Sequence, residues 1–388
     1  MGLVGIWGSF AMEQVARTYL IYDITGSAAM LGVITMAGTA PILALALFGG
    51  AVADRFPKKL LIQASHIGFI LVYLGYAFAV VSGYLSKEHP DSWWVLLAGG
   101  LLTGTLVALS MPGRGAIIPE IVDRERLMNA VSLNSMGMSF FQMIIPVIAG
   151  YIIGTSGYAV VFFVMAGFNV MSVFFNSFLP KIPARPAVHK NVLHDIREGF
   201  RYVIHNRTIL MVLIFFISSV LLVNPLQMLM PVYAKDILKV GVEGQGTLMS
   251  LMGLGSIVVA LIIASLPSKR RGRTLLISNI IMGVTLVIFA FSTSWPLSMV
   301  MITLIGIGRI GADASGNTLI QTYTDGAILG RVNSIVMLSF GLGGSGSFLI
   351  GILADAIGAP WSIGMFAIML IVISAAAITL MPAIRNLD

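Results

Sequence analysis

Long apolar stretches alternate with short polar segments along the whole chain. A stretch of about 20 predominantly apolar residues is the length that an α-helix needs to cross the hydrocarbon core of a bilayer. Twelve such stretches predict spans over 1–22, 28–53, 60–82, 93–112, 129–154, 158–179, 209–233, 246–266, 274–292, 297–317, 331–353 and 360–381. The pattern therefore predicts an all-α membrane protein with twelve transmembrane helices.

The longest polar connection, 180–208, divides the twelve spans into two sets of six. It begins with the proline-rich stretch Pro180–Pro186, which favours an extended chain. Its second part, Val192–Ile204, has apolar residues at helical spacing and predicts an amphipathic helix at the membrane surface. We therefore expect six-helix bundles over 1–179 and 209–388, joined by this linker.

An internal repeat indicates that the two halves are related. The segment Ile118–Ser132 aligns at a constant offset with Ile320–Ser334, which equates Asp123 with Asp325. Both copies precede the fifth span of their half on the same side of the membrane. The halves are therefore expected to have the same orientation, as parallel repeats do in one large class of transporters.

Basic residues support this topology. When successive loops are placed on alternate sides, 18 Lys and Arg residues lie on one side and three on the other, and two further arginines lie within spans. The positive-inside rule makes the basic side cytoplasmic, and an even number of spans places both termini there. The net charge of +7 therefore reflects topology and gives no reason to expect nucleic-acid binding.

Composition excludes several classes of protein. Only 10% of the residues are charged, whereas soluble domains have about 25%. The chain has no cysteine, so it forms no disulfide or thiolate metal site. It contains no phosphate-binding glycine loop that ends in Gly-Lys-Ser/Thr and no His-Glu-x-x-His motif, and its five histidines lack metal-ligand spacing. We predict no cofactor, no metal and no enzymatic activity.

Two pairs of opposite charges lie inside predicted spans. Glu13 and Arg17 are one helical turn apart in span 1, and Arg309 and Asp313 are one turn apart in span 10. Ionisable groups at bilayer depth are functional-site hypotheses by default. The further polar residues predicted for this site lie in spans 7 and 10 and are Asn224, Gln227 and Asn317.

The charged pairs allow three interpretations. Glu13 or Asp313 would bind a proton in one state and release it in another, because desolvation favours the neutral carboxyl and a nearby arginine favours the charged one. The arginines would alternatively bind an anionic group of a substrate. A static ion pair that fixes helix packing is the third interpretation.

The loop between spans 2 and 3 carries a family resemblance. Its sequence, Gly50-Ala-Val-Ala-Asp54-Arg55-Phe-Pro-Lys58-Lys59, resembles the signature loop of the major facilitator superfamily. Further segments resemble the branch that contains bacterial enterobactin and macrolide exporters, namely Tyr22–Ser27, Ile118–Val122, Asn129–Ser135 and Gly330–Val332. The resemblance covers essentially the whole chain. It implies that the first, fourth, seventh and tenth spans line a central cavity.

Two positions depart from the family pattern. The second glycine of the signature loop is Pro57, which alters the turn. The glycine-proline motif that antiporters of the superfamily carry on span 5 is reduced to Ile145–Gly150, without the preceding glycine. The second departure weakens the inference that the protein exports by antiport.

The resemblance also implies a conformational latch. Asp54 would interact with the positive N-terminal end of span 11 and hold the cytoplasmic side closed. The residues assigned to this latch are Gly50, Asp54, Arg55, Lys58, Lys59, Arg114, Gly330 and Arg331. The alternative for Lys58 and Lys59 is that they only enforce the topology.

We therefore expect a monomeric transporter of the bacterial inner membrane that works by alternating access. The expected activity is export of an amphipathic small molecule, such as a drug or a siderophore, against an inward flow of protons. The alternatives are translocation of a lysophospholipid-like lipid, whose phosphate Arg309 or Arg17 would bind, and uptake by symport. A substrate sensor or a membrane scaffold is a further alternative, but it would leave the intramembrane charges without a role.

Overall fold

The computed structural model describes residues 2–55, 57–178, 192–265, 270–326, 328–385 and 387. Every regular element within these residues is helical. The first six helices are α1 (Gly2–Thr25), α2 (Ala28–Arg55), α3 (Lys58–Val81), α4 (Trp93–Ile121), α5 (Arg124–Ser156) and α6 (Tyr158–Ser177). The following helices are α7 (Val192–His205), α8 (Arg207–Val232), α9 (Gly241–Ser265), α10 (Arg271–Ala290), α11 (Trp295–Tyr323), α12 (Leu329–Ile357), α13 (Ala359–Leu380) and α14 (Pro382–Arg385).

Twelve of these helices correspond one by one to the twelve predicted spans, and α7 corresponds to the predicted surface helix. Ten of them contain a described stretch that is long and apolar enough to cross a membrane. By the same criterion α12 contributes a shorter stretch, Gly343–Ile357, and α1 contributes none. The prediction of an all-α membrane fold is confirmed.

The largest differences from the predicted bounds occur at the predicted cytoplasmic side. Span 4 was expected to end at 112, but α4 continues to Ile121, and span 10 was expected to end at 317, but α11 continues to Tyr323. An apolar stretch marks only the part of a helix that lies in hydrocarbon. A helix that extends into water keeps its backbone hydrogen bonds, so these helices continue where the apolar pattern stops.

The first compact unit comprises Met1–His189 and the segment Lys239–Ser250. Within it, α2 packs along α4, α3 packs on α6, and α1 packs on α5 and α6. Glycine allows the closest approach, because a Cβ at Gly104 of α4 would overlap the backbone carbonyl of Gly38 on α2. Small residues at such crossings are the usual means by which helices pack in membranes.

The second compact unit comprises Lys190–Leu238 and Leu251–Asp388. Its helix α10 packs along α11 and α13, and α8 packs on α11 and α12. The buried cluster at its centre includes Leu213, Phe216, Leu276 and Leu319. A π-helical turn, Tyr233–Ile237, continues α8 after Pro231.

Candidate functional site

The carboxylate of Glu13 lies inside the first unit, in contact with α3. Glu13 is only 7% exposed. The Tyr73 hydroxyl donates a 2.9 Å hydrogen bond to Glu13 Oε2, and Arg17 Nη1 lies 2.9 Å from Glu13 Oε1. A buried carboxylate needs such partners because an isolated charge in a medium of low dielectric constant is very costly. Each oxygen of Glu13 therefore has one protein partner.

The space for the Arg17 guanidinium depends on glycine. A Cβ at Gly38 of α2 would lie 3.4 Å from Arg17 Nη2, and a Cβ at Gly100 of α4 would lie 3.5 Å from Nη1. Apart from their contact with each other, Arg17 Nη1 and Glu13 Oε1 have no hydrogen-bond partner among the described residues. The pair therefore retains capacity for one more proton or polar atom.

A second buried polar network crosses the same unit. His66 Nδ1 lies 2.8 Å from Asn169 Oδ1, and the Asn169 amide nitrogen donates to Ser9 Oγ at 2.8 Å. Because this amide nitrogen is a donor, Asn169 Oδ1 accepts from His66, and the proton of the imidazole lies on Nδ1. His66 Nε2 then accepts from Arg114 Nη2 at 3.3 Å. The network connects α1, α3, α4 and α6.

The polar residues of α11 form a stripe on one face of that helix. Arg309 Nε lies 3.8 Å from Asp313 Oδ2, and the Asn317 amide donates a 2.9 Å hydrogen bond to the Asp313 backbone oxygen. The side chains of Arg309 and Asp313 are 29% and 26% exposed. The adjoining face of α11, which includes Gly308 and Ala312, is buried in the second unit.

The partial exposure of these α11 side chains limits what can surround them in a membrane. Charged side chains that do not face the core of their own bundle must face lipid or a water-filled cavity. Lipid is the costly alternative, so intramembrane charges almost always line a cavity or pair with one another. The stripe is therefore suited to contact a polar or charged solute.

The other predicted site residues on α8 have less specific surroundings. Asn224 lies against α12, where a Cβ at Gly343 would overlap its amide nitrogen. Gln227 is half-buried. Among the predicted site residues, contacts thus join Glu13 with Arg17 and link Arg309, Asp313 and Asn317.

The surroundings of three predicted latch residues, Gly50, Asp54 and Arg55, lie outside the described part of the structure. Lys59 Nζ donates a 2.6 Å hydrogen bond to the Ser177 backbone oxygen, and Lys58 lies beside Gly113. The remaining latch residues also have neighbours within their own unit: Arg114 contacts His66, and Arg331, which follows Gly330, pairs with Glu198 at 2.6 Å. The latch itself stays a prediction.

Sequence reasoning missed the residues that surround the predicted charges. Tyr73, His66 and Asn169 are polar groups within otherwise apolar spans, and this was the one signal that could have drawn attention to them. No group of three or more His, Asp or Glu residues in the described ranges is arranged to hold a metal ion.

Comparison with known proteins assigns the family. A family profile described as a transmembrane secretion effector, within the major facilitator superfamily, matches residues 2–388. The chain belongs to this family. The resemblance predicted from the signature loop is therefore confirmed, and the protein is a secondary transporter and not an enzyme.

Individual relatives agree with this assignment. The transporter is 27% identical over 376 residues to the enterobactin exporter EntS of Shigella boydii serotype 18, a match that covers 95% of this chain and 84% of the relative. It is 26% identical over 354 residues to the staphyloferrin A transporter of Staphylococcus aureus, with 89% and 86% covered.

Solved structures share its fold. The inward-open xylose transporter XylE of E. coli has a TM-score of 0.74 with this transporter at 12% identity, and the match covers 98% of this chain and 95% of that one. At this identity the likeness shows the fold alone. The helices of this chain therefore adopt the major facilitator fold.

Proposed function

We propose that this transporter exports an amphipathic small molecule in exchange for protons, with a siderophore as the first candidate. The relatives named above are a siderophore exporter and a siderophore transporter. We place the protein in the bacterial inner membrane with both termini in the cytoplasm, in agreement with the distribution of its basic residues. It would work as a monomer.

The contact between Glu13 and Arg17 is the observation that carries the proton part of the proposal. Arg17 retains its charge under all physiological conditions. If Glu13 bound a proton, Arg17, whose side chain is only 18% exposed, would lose its counter-charge, and such a state is strongly destabilised. Proton binding must therefore be accompanied by a movement that hydrates Arg17 or gives it another partner. This requirement links protonation to conformation.

The stripe on α11 is assigned to the substrate. The guanidinium of Arg309 has five N–H donors, and only its Nε approaches Asp313 among the described contacts. The remaining donors suit an anionic or oxygen-rich group, such as a carboxylate of a chelating molecule. Asn317 adds a polar side chain one turn further along the helix. Asp313 competes for Arg309 and would help to release the substrate.

The latch is the third part of the proposal. Asp54 would interact with the first turn of α12, near Gly330, and stabilise the state that is closed to the cytoplasm. An Asp54→Asn variant would then transport more slowly while substrate affinity changes little. Equal losses in rate and affinity would argue against the latch.

Inside-out membrane vesicles provide the test of export. An acidic interior is imposed, and accumulation of radiolabelled siderophores, a cationic drug, a lysophospholipid and a sugar is measured. The proposal expects siderophore accumulation that a protonophore abolishes. Accumulation that survives the protonophore would contradict proton exchange. Movement of the lysophospholipid alone would contradict the substrate class and favour lipid translocation.

A further inference from the structure

The helix α7 presents one continuous exposed stripe. Arg197, Phe200, Arg201, Ile204 and His205 are all exposed, and their spacing places them on one helical face. Phe200 is 44% exposed and Ile204 is 61% exposed. Two arginines and a histidine thus surround two large apolar side chains.

The opposite face of α7 is occupied by the second unit. Glu198 pairs with Arg331 of α12 at 2.6 Å. The Tyr202 hydroxyl accepts a 3.3 Å hydrogen bond from the backbone N–H of Asp325, and Val203 is buried in the central cluster. These contacts fix which face of α7 points toward the protein, so the stripe points away from the second unit.

The position of α7 in the chain places it at the membrane surface. Asn206 is the single residue between α7 and α8, and its side chain caps α8 by accepting a 3.2 Å hydrogen bond from the Ile209 backbone. Because α8 crosses the membrane, the C-terminal end of α7 lies within one residue of a transmembrane helix. A mixed basic and apolar stripe at this position has the composition of interfacial helices that bind anionic membranes.

We infer that the α7 stripe binds anionic phospholipids of the cytoplasmic leaflet. Arg197 and Arg201 contact the phosphate groups, for which a guanidinium is well suited, and Phe200 and Ile204 enter the boundary between headgroups and acyl chains. If the α7 stripe faced water, Phe200 and Ile204 would stay exposed to solvent. If it faced an uncharged membrane surface, Arg197 and Arg201 would have no counter-charges.

The Glu198–Arg331 ion pair connects this surface to the transport cycle. Arg331 lies in the first turn of α12, and a Cβ at Gly199 would lie 3.2 Å from Arg331 Cβ, so the two helices are in close contact. This contact would couple movement of the start of α12 to movement of α7. Anionic lipid that binds the α7 stripe would accordingly also change the rate of transport.

The direct test uses the whole protein with one spin label. The chain has no cysteine, so Ile204→Cys provides a single labelling site on the stripe, and Glu125→Cys on α5 provides an exposed control. Liposomes of phosphatidylcholine are compared with liposomes that also contain phosphatidylglycerol. We expect phosphatidylglycerol to shift the Ile204→Cys label from contact with a water-soluble nickel chelate to contact with oxygen dissolved in lipid. The control label should not shift.

Charge variants test the lipid specificity. An Arg197→Gln, Arg201→Gln double variant should need more phosphatidylglycerol to produce the same shift, by roughly fivefold for each arginine removed. The matched control, Arg126→Gln with Arg273→Gln, removes the same charge elsewhere on the predicted cytoplasmic side and should behave as wild type. Equal behaviour of the two double variants would overturn the inference.

Two further outcomes would also overturn it. A label on the stripe that remains accessible to the nickel chelate in both lipids would show that the stripe faces water. Spin-spin broadening between labelled copies would assign the surface to a second copy of the chain. These readouts do not depend on transport, so their failure is distinct from failure of the proposed export activity. A Glu198→Gln variant should keep the shift of the label but lose the effect of phosphatidylglycerol on transport rate.

Discussion

Tyr73 and Glu13 lie 60 positions apart in the sequence, yet the Tyr73 hydroxyl donates a 2.9 Å hydrogen bond to Glu13 Oε2. The bond connects α3 with α1 inside the first unit, and both side chains are buried. Because Glu13 also contacts Arg17, the state of this carboxylate depends on residues from two helices. A change in its protonation therefore acts on more than one helix.

Removal of the Tyr73 hydroxyl should slow transport. A hydrogen bond to a charged group contributes about 1.5–3 kcal/mol, and ~1.4 kcal/mol corresponds to a factor of ten in rate. We expect Tyr73→Phe to lower the initial rate of transport in proteoliposomes about tenfold or more. Tyr151→Phe, which removes the same group from an exposed tyrosine, is the control. A rate like that of the wild type in Tyr73→Phe would remove Tyr73 from the mechanism.

Arg309 and Asp313 should change substrate affinity in opposite directions. Arg309→Gln removes the cation, and we expect roughly tenfold weaker binding of an anionic substrate. Asp313→Asn removes the competing carboxylate, so binding should become tighter. Isothermal titration of the purified variants measures both effects. A loss of affinity in both variants would instead support a static ion pair that maintains the structure.

Gly104 should not tolerate a side chain. A Cβ there would overlap the Gly38 carbonyl and approach Pro41 Cγ at 3.3 Å. Forcing α4 away from α2 should destabilise the protein by about 1–3 kcal/mol, visible as a lower unfolding temperature of Gly104→Ala in detergent. The matched variant is Gly75→Ala, because no heavy atom lies within 4 Å of its Cβ position. Equal unfolding temperatures of the two variants would contradict the close packing of α2 on α4 at Gly104.

Asn169 should contribute to stability through the buried network. Asn169→Ala leaves the buried His66 Nδ1–H without its acceptor, whereas Ser9 Oγ keeps its 3.2 Å hydrogen bond to the Met165 backbone oxygen. An unsatisfied buried donor costs about 1–3 kcal/mol. We expect a clear loss of thermal stability. Thr155→Ala is the control, since this exposed hydroxyl bonds within its own helix to the Tyr151 oxygen. Equal stability of the two variants would contradict the network.

The helices could be predicted from the sequence because a helix that crosses a membrane needs a long apolar stretch, and few other structures explain such a stretch. The surface helix was predicted over Val192–Ile204, and α7 covers Val192–His205. Its faces were less predictable. The spacing of apolar residues in Val192–Ile204 predicts one apolar face, but within it Val203 is buried and Phe200 is exposed. Some apolar residues of α7 pack on the second unit and others belong to the exposed stripe. The spacing of apolar residues alone does not distinguish these two groups.

The partners of the intramembrane charges could not be predicted. Periodicity shows which residues share a face of one helix, so the Glu13–Arg17 contact followed from a separation of four positions. It does not show which helix lies beside that face. Tyr73 belongs to another helix, and in the sequence it resembles any aromatic residue of an apolar span. The same limit applies to His66 and Asn169.

Substrate-dependent proton movement is the most direct test of the central claim. Proteoliposomes that contain a pH-sensitive dye receive a siderophore, and proton flux is measured for wild type, Glu13→Gln and the exposed-carboxylate control Glu125→Gln. We predict proton flux for wild type and for Glu125→Gln, and none for Glu13→Gln. Siderophore movement without proton flux in the wild type, or unchanged flux in Glu13→Gln, would contradict the role of Glu13 in proton-coupled export.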